Sequence, residues 1–155
     1  MRLRLTASAL RVAVSAPFHD DPPPPGEPGS TEGLWEYEVV ELFVAGPADD
    51  DAVPYTEIEL SPWGHHLVLQ LHGIRNRVAT GLPIAFRTQR RGNLWLGVAR
   101  IDMALLPQQP WRINAFAIHG VGDDRRYLAA TPLPGERPDF HQPARFLALA
   151  IARPE

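Results

Sequence analysis

The side chains able to do chemistry in this 155-residue sequence are mainly carboxylates and imidazoles, because it contains no cysteine. Disulfides, thiolate nucleophiles, Cys-type zinc sites and iron–sulfur clusters are thereby excluded. Glu41 is the most unusual acid. In Val39-Val40-Glu41-Leu42-Phe43-Val44 all its neighbours are apolar, and strand alternation puts it on one face with Val39 and Phe43. An isolated carboxylate is rarely buried unless charged or hydrogen-bonding partners compensate its desolvation. Two readings stay open: Glu41 pairs internally, with an arginine such as Arg112, or its face lines a wet pocket. Glu57 and Glu59 alternate with Thr56, Ile58 and Leu60. One face of that strand therefore carries Tyr55, Glu57 and Glu59, and it is expected to be a solvated outer face. Glycosidases need two carboxyls at a set separation, and Glu41 with Glu57 offers such a pair, although acids on two strands are common by chance.

The histidines do not have metal-ligand spacing. His66 and His72 share a strand face but stand six residues apart, roughly 20 Å at the strand rise. His65 alternates with Leu67, Leu69 and Leu71 and is expected to cap the core edge. Asp49-Asp50-Asp51 and Asp123-Asp124 could offer hard oxygens to calcium, but the strict calcium-loop spacing is missing. No Gly-rich phosphate loop, Gly-x-Ser-x-Gly elbow or nucleotide fingerprint occurs. With no nucleophile-and-base pair and no metal triad, the chain reads as non-catalytic, with no cofactor.

Among the aromatics, Trp95 and Trp111 are expected to pack in the core. Trp35 stands after a loop and before the apolar strand, where a ring can project from a sheet edge. Phe140 lies in Arg137-Pro138-Asp139-Phe140-His141-Gln142-Pro143, too rich in proline for regular structure.

The elements that must position these residues are short. Seventeen prolines and twelve glycines cut the chain into brief apolar runs, the pattern of an all-β domain. Strands are expected at 3–6, 10–15, 37–44, 55–60, 65–71, 84–89, 94–101, 112–118, 127–130 and 146–151. Residues 18–31, with Pro22-Pro23-Pro24-Pro25, read as an extended, exposed loop. Ser61-Pro62-Trp63-Gly64 and Arg90-Arg91-Gly92-Asn93 read as turns. Asp102 is expected to cap one helical turn that Pro107 ends. About ten strands and at most short helical turns imply a two-sheet antiparallel β-sandwich, jelly-roll-like, with residues 1–155 as one domain.

Net charge is −3, which supplies no global electrostatic case for nucleic acid or an anionic membrane. No apolar run approaches the ~20 residues of a spanning helix. Arg2 and Arg4 precede an apolar stretch ending in Val14-Ser15-Ala16, which mimics a signal peptide, but Arg11 interrupts it. A cytoplasmic protein is the expectation.

Gly33-Leu34-Trp35-Glu36-Tyr37-Glu38-Val39-Val40-Glu41-Leu42-Phe43 resembles the Trp-x-x-Asp-x-x-Glu-x-Phe signature of family 9 carbohydrate-binding modules and their DOMON-like relatives. Tyr55 to Pro62 is similar to the strand that follows it there. Trp95 to Leu106, then Trp111 to Phe116 with Asn114, resemble the family's later block. Pro138-Asp139-Phe140-His141-x-Pro143-x-x-Phe146 resembles a bacterial DOMON-like subgroup. The likeness covers about residues 10–151.

The resemblance implies a β-sandwich with a sugar cleft, in which two aromatic rings sandwich a terminal sugar and polar groups bond its hydroxyls. Carried over, Trp35 and Phe140 are the platforms, Glu41 and Asn114 the hydroxyl partners, and Glu57 and His141 further candidates. An apolar pyranose face packing on a ring is sound chemistry. The pattern also departs from the family: Glu38 replaces an Asp, Phe140 replaces a Trp, and Phe116 stands where a polar contact is commoner. The expected ligand is thus a mono- or oligosaccharide. The rival reading is an interaction domain with a protein partner and a closed cleft. Haem binding, known among DOMON relatives, would draw on Met103 and the six histidines, but the resemblance places no axial pair.

Overall fold

The computed structural model describes residues 1–47 and 52–150. Apolar alternation sets the first sheet. Strands β1 (Arg2–Leu5), β2 (Ala9–Pro17), β7 (Ala85–Arg91) and β8 (Leu94–Asp102) form an antiparallel sheet in the order β1-β2-β8-β7. In β8 every second residue is buried, so Trp95, Ala99 and Ile101 point inward while Leu94, Leu96 and Val98 face outward.

The second sheet carries β10 (Arg126–Ala129), β9 (Arg112–His119), β3 (Val39–Ala45), β4 (Pro54–Leu60), β5 (His66–His72) and β6 (Arg77–Ala79) in that order, with β11 (Leu147–Ala148) also on β9. Two antiparallel sheets and short 3-10 turns make an all-β sandwich, as the sequence implies.

The continuous apolar run of β3 has a direct cause: both of its faces are covered. Leu42 and Val44 pack with Ile58, Leu60 and Val68 against Leu10, Val12, Val14, Trp95 and Ile101 of the first sheet. On the opposite face Val39, Phe43 and Ala45 join Tyr55, Leu67, Leu69 and Phe116 in a second cluster. Loops, including Leu34, Phe140 and Phe146, cover that cluster.

Several expectations need correction. The Tyr55–Glu57–Glu59 face is not solvated, since Glu57 and Glu59 are 4% and 0% exposed. β3 and β5 flank β4 on both edges, and the 138–141 segment stands over this face. Asp102 precedes the 3-10 turn Met103–Leu105, yet its carboxylate makes no cap and instead pairs with Arg100. The expected 146–151 strand shrinks to Leu147–Ala148 after a 3-10 turn at Pro143–Arg145. Asp49-Asp50-Asp51 and Ile151 lie outside the described residues. Strand β6 is unexpected. It is three polar-flanked residues on a sheet edge, too short to show alternation.

Candidate functional site

Strand register, which pattern alone does not reveal, brings the acids together. Glu41 on β3 lies opposite Glu59 on β4, and Phe43 lies opposite Glu57. Because side chains alternate, all three carboxyls stand on the loop-covered face. One oxygen of each lies within 4.8 Å of the others. Arg112 is placed opposite Ala45, four residues along β3 from Glu41, so register does not deliver it to that acid. Glu41 instead feels the positive charge of Arg125.

The walls come from two irregular segments. Trp35 rides the 3-10 turn Leu34–Glu36, which Gly33 enters at φ 76, a left-handed conformation suited to glycine. Leu34 anchors this turn in the second cluster, and Arg125 Nη2 donates to Trp35 O at 2.7 Å. Behind it, Glu38 accepts from the backbone N–H of His19 (3.0 Å) and Asp21 (3.4 Å), pinning the proline loop. Phe140 comes from the Pro-rich segment and stacks on Phe116, with centroids 3.9 Å apart and planes at 11°. Asp139 holds its neighbour by accepting from His141 N–H at 3.1 Å and from Arg75 Nη2 at 2.8 Å.

Between these walls is a cavity of about 270 Å³. Glu41, Glu57 and His141 present polar groups to it, Trp35, Tyr127 and Phe140 supply rings, and Arg75 and Arg77 stand at its exposed rim. Five of the candidates, Trp35, Glu41, Glu57, Phe140 and His141, thus share one cavity. Asn114 does not line it. Its Nδ2 donates to Thr131 O (2.9 Å), and its Oδ1 accepts from Thr131 N–H (3.0 Å) and Ala115 N–H (2.9 Å). That amide is occupied in tying the roof segment to β9.

Burial sets the protonation of the floor. It drives Glu57 up to about 7. Glu41 and Glu59 are also raised well above the usual carboxylate range, by burial first and then by repulsion from Glu57 and from Glu41 respectively. Burial, reinforced by the Arg75 charge, lowers His141 to about 4, so its imidazole is neutral near pH 7. The His141 Nε2–Glu57 Oε2 separation of 4.0 Å is therefore not an ion pair at neutral pH.

The neutral His141 ring is held in place by Tyr55. Burial raises Tyr55 to about 12, so its phenol keeps its proton. The Tyr55 oxygen accepts from Arg75 N–H at 2.9 Å and lies 2.9 Å from His141 Nδ1. In the tautomer where Tyr55 O–H donates to Nδ1, the ring proton sits on Nε2, facing Glu57. One hydroxyl oxygen seated between Nε2–H and Glu57 Oε2 could accept from the first and donate to the second. Among the described residues, Glu57 Oε2 receives no hydrogen bond from an N–H or hydroxyl donor.

Sequence reasoning overlooks Glu59, Tyr55, Tyr127, Arg75 and Arg77 as members or supports of this place. The Tyr-x-Glu-x-Glu alternation is the available signal for the first two, once its face is known to be covered.

No family model matches the chain. A search of solved structures finds one from Bacteroides uniformis described as a "putative carbohydrate-binding protein", with a TM-score of 0.62 and 20% identity over 90% of this chain and 69% of that one. At that identity the likeness carries the fold alone. Among curated proteins, the UPF0462 protein C4orf33 homolog of Mus musculus is 43% identical over 150 residues, 92% of this chain and 77% of its own length. The Homo sapiens UPF0462 protein C4orf33 is 42% identical over 149 residues, 91% and 73% of the two chains. The Danio rerio homolog is 40% identical over 143 residues, 86% and 70%. Identity at this level across most of both chains places the protein in the UPF0462 family.

Proposed function

We propose that the protein is a non-catalytic sugar-binding β-sandwich of the family 9 and DOMON-like type, taking a terminal sugar ring in the cavity between Trp35 and Phe140. One observation carries this reading: aromatic rings and hydroxyl-bonding groups converge on a single space of about 270 Å³. That lies just below the ~300–1,000 Å³ of pockets for drug-sized ligands, a size for one ring and not a chain. Trp35, Tyr127 and Phe140 supply π faces for the C–H face of a pyranose. Glu57 and His141 together fit one hydroxyl, and Glu41 offers a second polar contact. The fold likeness to a protein described as carbohydrate-binding supports the same reading.

The test is calorimetric titration of the full chain with a panel of mono- and disaccharides. The expected result is millimolar or tighter binding of at least one sugar that Trp35→Ala abolishes. No heat from any sugar at millimolar concentration would overturn it.

A closed cleft serving a protein partner is favoured by two contacts. Phe140 spends one face on Phe116, and the Arg77 guanidinium lies 4.8 Å over the Trp35 ring while bonded to Glu32 at 2.5 Å. On that reading Arg77→Ala leaves sugar binding absent. On the sugar reading it uncovers the platform and retains or strengthens binding.

A further inference from the structure

We infer that Glu41, Glu57 and Glu59 form a divalent-cation site at the floor of the cavity, selective for a hard ion of calcium type. Three carboxyls converge on one face of β3 and β4, with one oxygen of each within 4.8 Å of the others. Calcium binds oxygen at about 2.3–2.6 Å, so two oxygens on one ion can lie up to roughly 5 Å apart. The observed spacing meets that limit without moving a strand. Magnesium, at about 2.0–2.1 Å, would require the three to close in further.

A separate observation concerns what these oxygens lack. Glu59 is 0% exposed and shares a carboxyl–carboxyl hydrogen bond with Glu57, but among the described residues no N–H or hydroxyl donor reaches either of its oxygens, and Glu57 Oε2 is buried in the same condition. Buried polar atoms are nearly always partnered, so oxygens that no donor reaches call for a cation, a water or a proton to satisfy them. One Glu59 oxygen lies within 4.8 Å of one oxygen each of Glu41 and Glu57, which line the cavity. The nearby arginines do not fill it. Arg75 is bonded to Asp139, Arg77 to Glu32, and Arg125 to the carbonyls of Trp35 and Gly120.

The donor set also selects the ion. All three ligands are carboxylates, which suit hard cations. His141 is not part of the cluster and its Nδ1 is engaged with the Tyr55 hydroxyl, so the three acids are not joined by the imidazole nitrogen that zinc prefers. Three carboxylates supply three to six of the six to eight oxygens calcium takes. Glu41 and Glu57 also line the cavity, so the remaining positions open toward it and would hold water or a ligand hydroxyl. The site needs no sugar to form, so its failure and that of the sugar reading are separate results.

The experiment is calorimetric titration of the chelator-treated full chain with calcium chloride, then magnesium chloride, at neutral pH without sugar. Each titration is paired with a thermal melt. One calcium per chain is expected, bound more tightly than magnesium, with a rise in Tm. Glu59→Gln and, separately, Glu41→Gln should weaken calcium by at least about tenfold, since even outer-shell partners act on that scale. Both variants should melt in chelator no lower than the parent, because each removes a buried acid. Absence of calcium binding and of any Tm change at millimolar calcium would overturn the site and leave protons as the only neutralising charge. Binding that neither variant weakens would place the ion elsewhere and overturn it equally.

Discussion

Replacing Glu57 by Gln should stabilise the protein at alkaline pH and do almost nothing at acid pH. Burial raises the Glu57 carboxyl from 4.5 to about 7. The folded state therefore holds this proton more tightly than the unfolded chain does. Below about pH 4.5 both states are protonated and Glu57 carries no penalty. As pH rises from there the unfolded chain ionises first, and stability drains away until the folded carboxyl ionises near pH 7. The shift is about 2.5 units, and at about 1.36 kcal/mol per unit it amounts to about 3 kcal/mol. Gln keeps the neutral shape and does not ionise. Glu57→Gln should thus match the parent near pH 4.5 and exceed it by about 3 kcal/mol near pH 8. For a chain of this size that is roughly 10 °C in Tm. Urea unfolding of both proteins in chelator, across that pH range, measures the difference directly. A stability difference independent of pH, or a variant less stable than the parent near pH 8, would refute the buried-acid reasoning.

His141 titrates in the opposite sense. Its lowered value of about 4 means that stability is fully present above about pH 6.5 and lost as pH falls toward 4. His141→Gln should therefore gain on the parent by about 3 kcal/mol at the acid end, by the same arithmetic, as read by unfolding at matched pH. Asn114→Ala removes an amide that makes three hydrogen bonds to Thr131 and Ala115 backbone, leaving two half-buried N–H donors without their acceptor. A loss of about 1–3 kcal/mol is expected, with earlier proteolysis of the 130–146 segment. Trp95→Ala, in the core between the sheets, should cost about 3–5 kcal/mol in chemical denaturation while leaving the near-surface Trp35 signal in place.

The sandwich is legible because it rests on local pattern. Alternation in Leu94–Asp102 and the unbroken apolar run of Val39–Ala45 report, respectively, one covered face and two. The site is legible only in part because it depends on register and on what roofs a face. Trp35 and Phe140 stand out as rings outside regular strands, and Glu41 as an acid among apolar neighbours. That Glu59 lies directly opposite Glu41 follows from β3–β4 pairing, which no spacing within either strand encodes. The fate of Tyr55-Glu57-Glu59 turned on the distant 130–146 segment, whose irregular path has no periodic signature. Arg112 fails as the partner of Glu41 for the same reason: β9 is antiparallel and pairs Glu41 with Phe116. Asn114 reads as a ligand contact through resemblance, whereas its amide is consumed by the backbone it fastens.

The central claim is that Trp35 forms one wall of a sugar site. Four tryptophans give four indole N–H signals in a nitrogen-15 correlation spectrum, assignable by single Trp→Phe variants. Trp95 and Trp111 are buried in the sandwich core and serve as internal controls. Titration with a bound monosaccharide is predicted to move the Trp35 indole signal in a saturable way while the Trp95 and Trp111 signals stay fixed. A Trp35 signal that does not move for any sugar at millimolar concentration, or sugar-dependent shifts confined to Trp63, would contradict it.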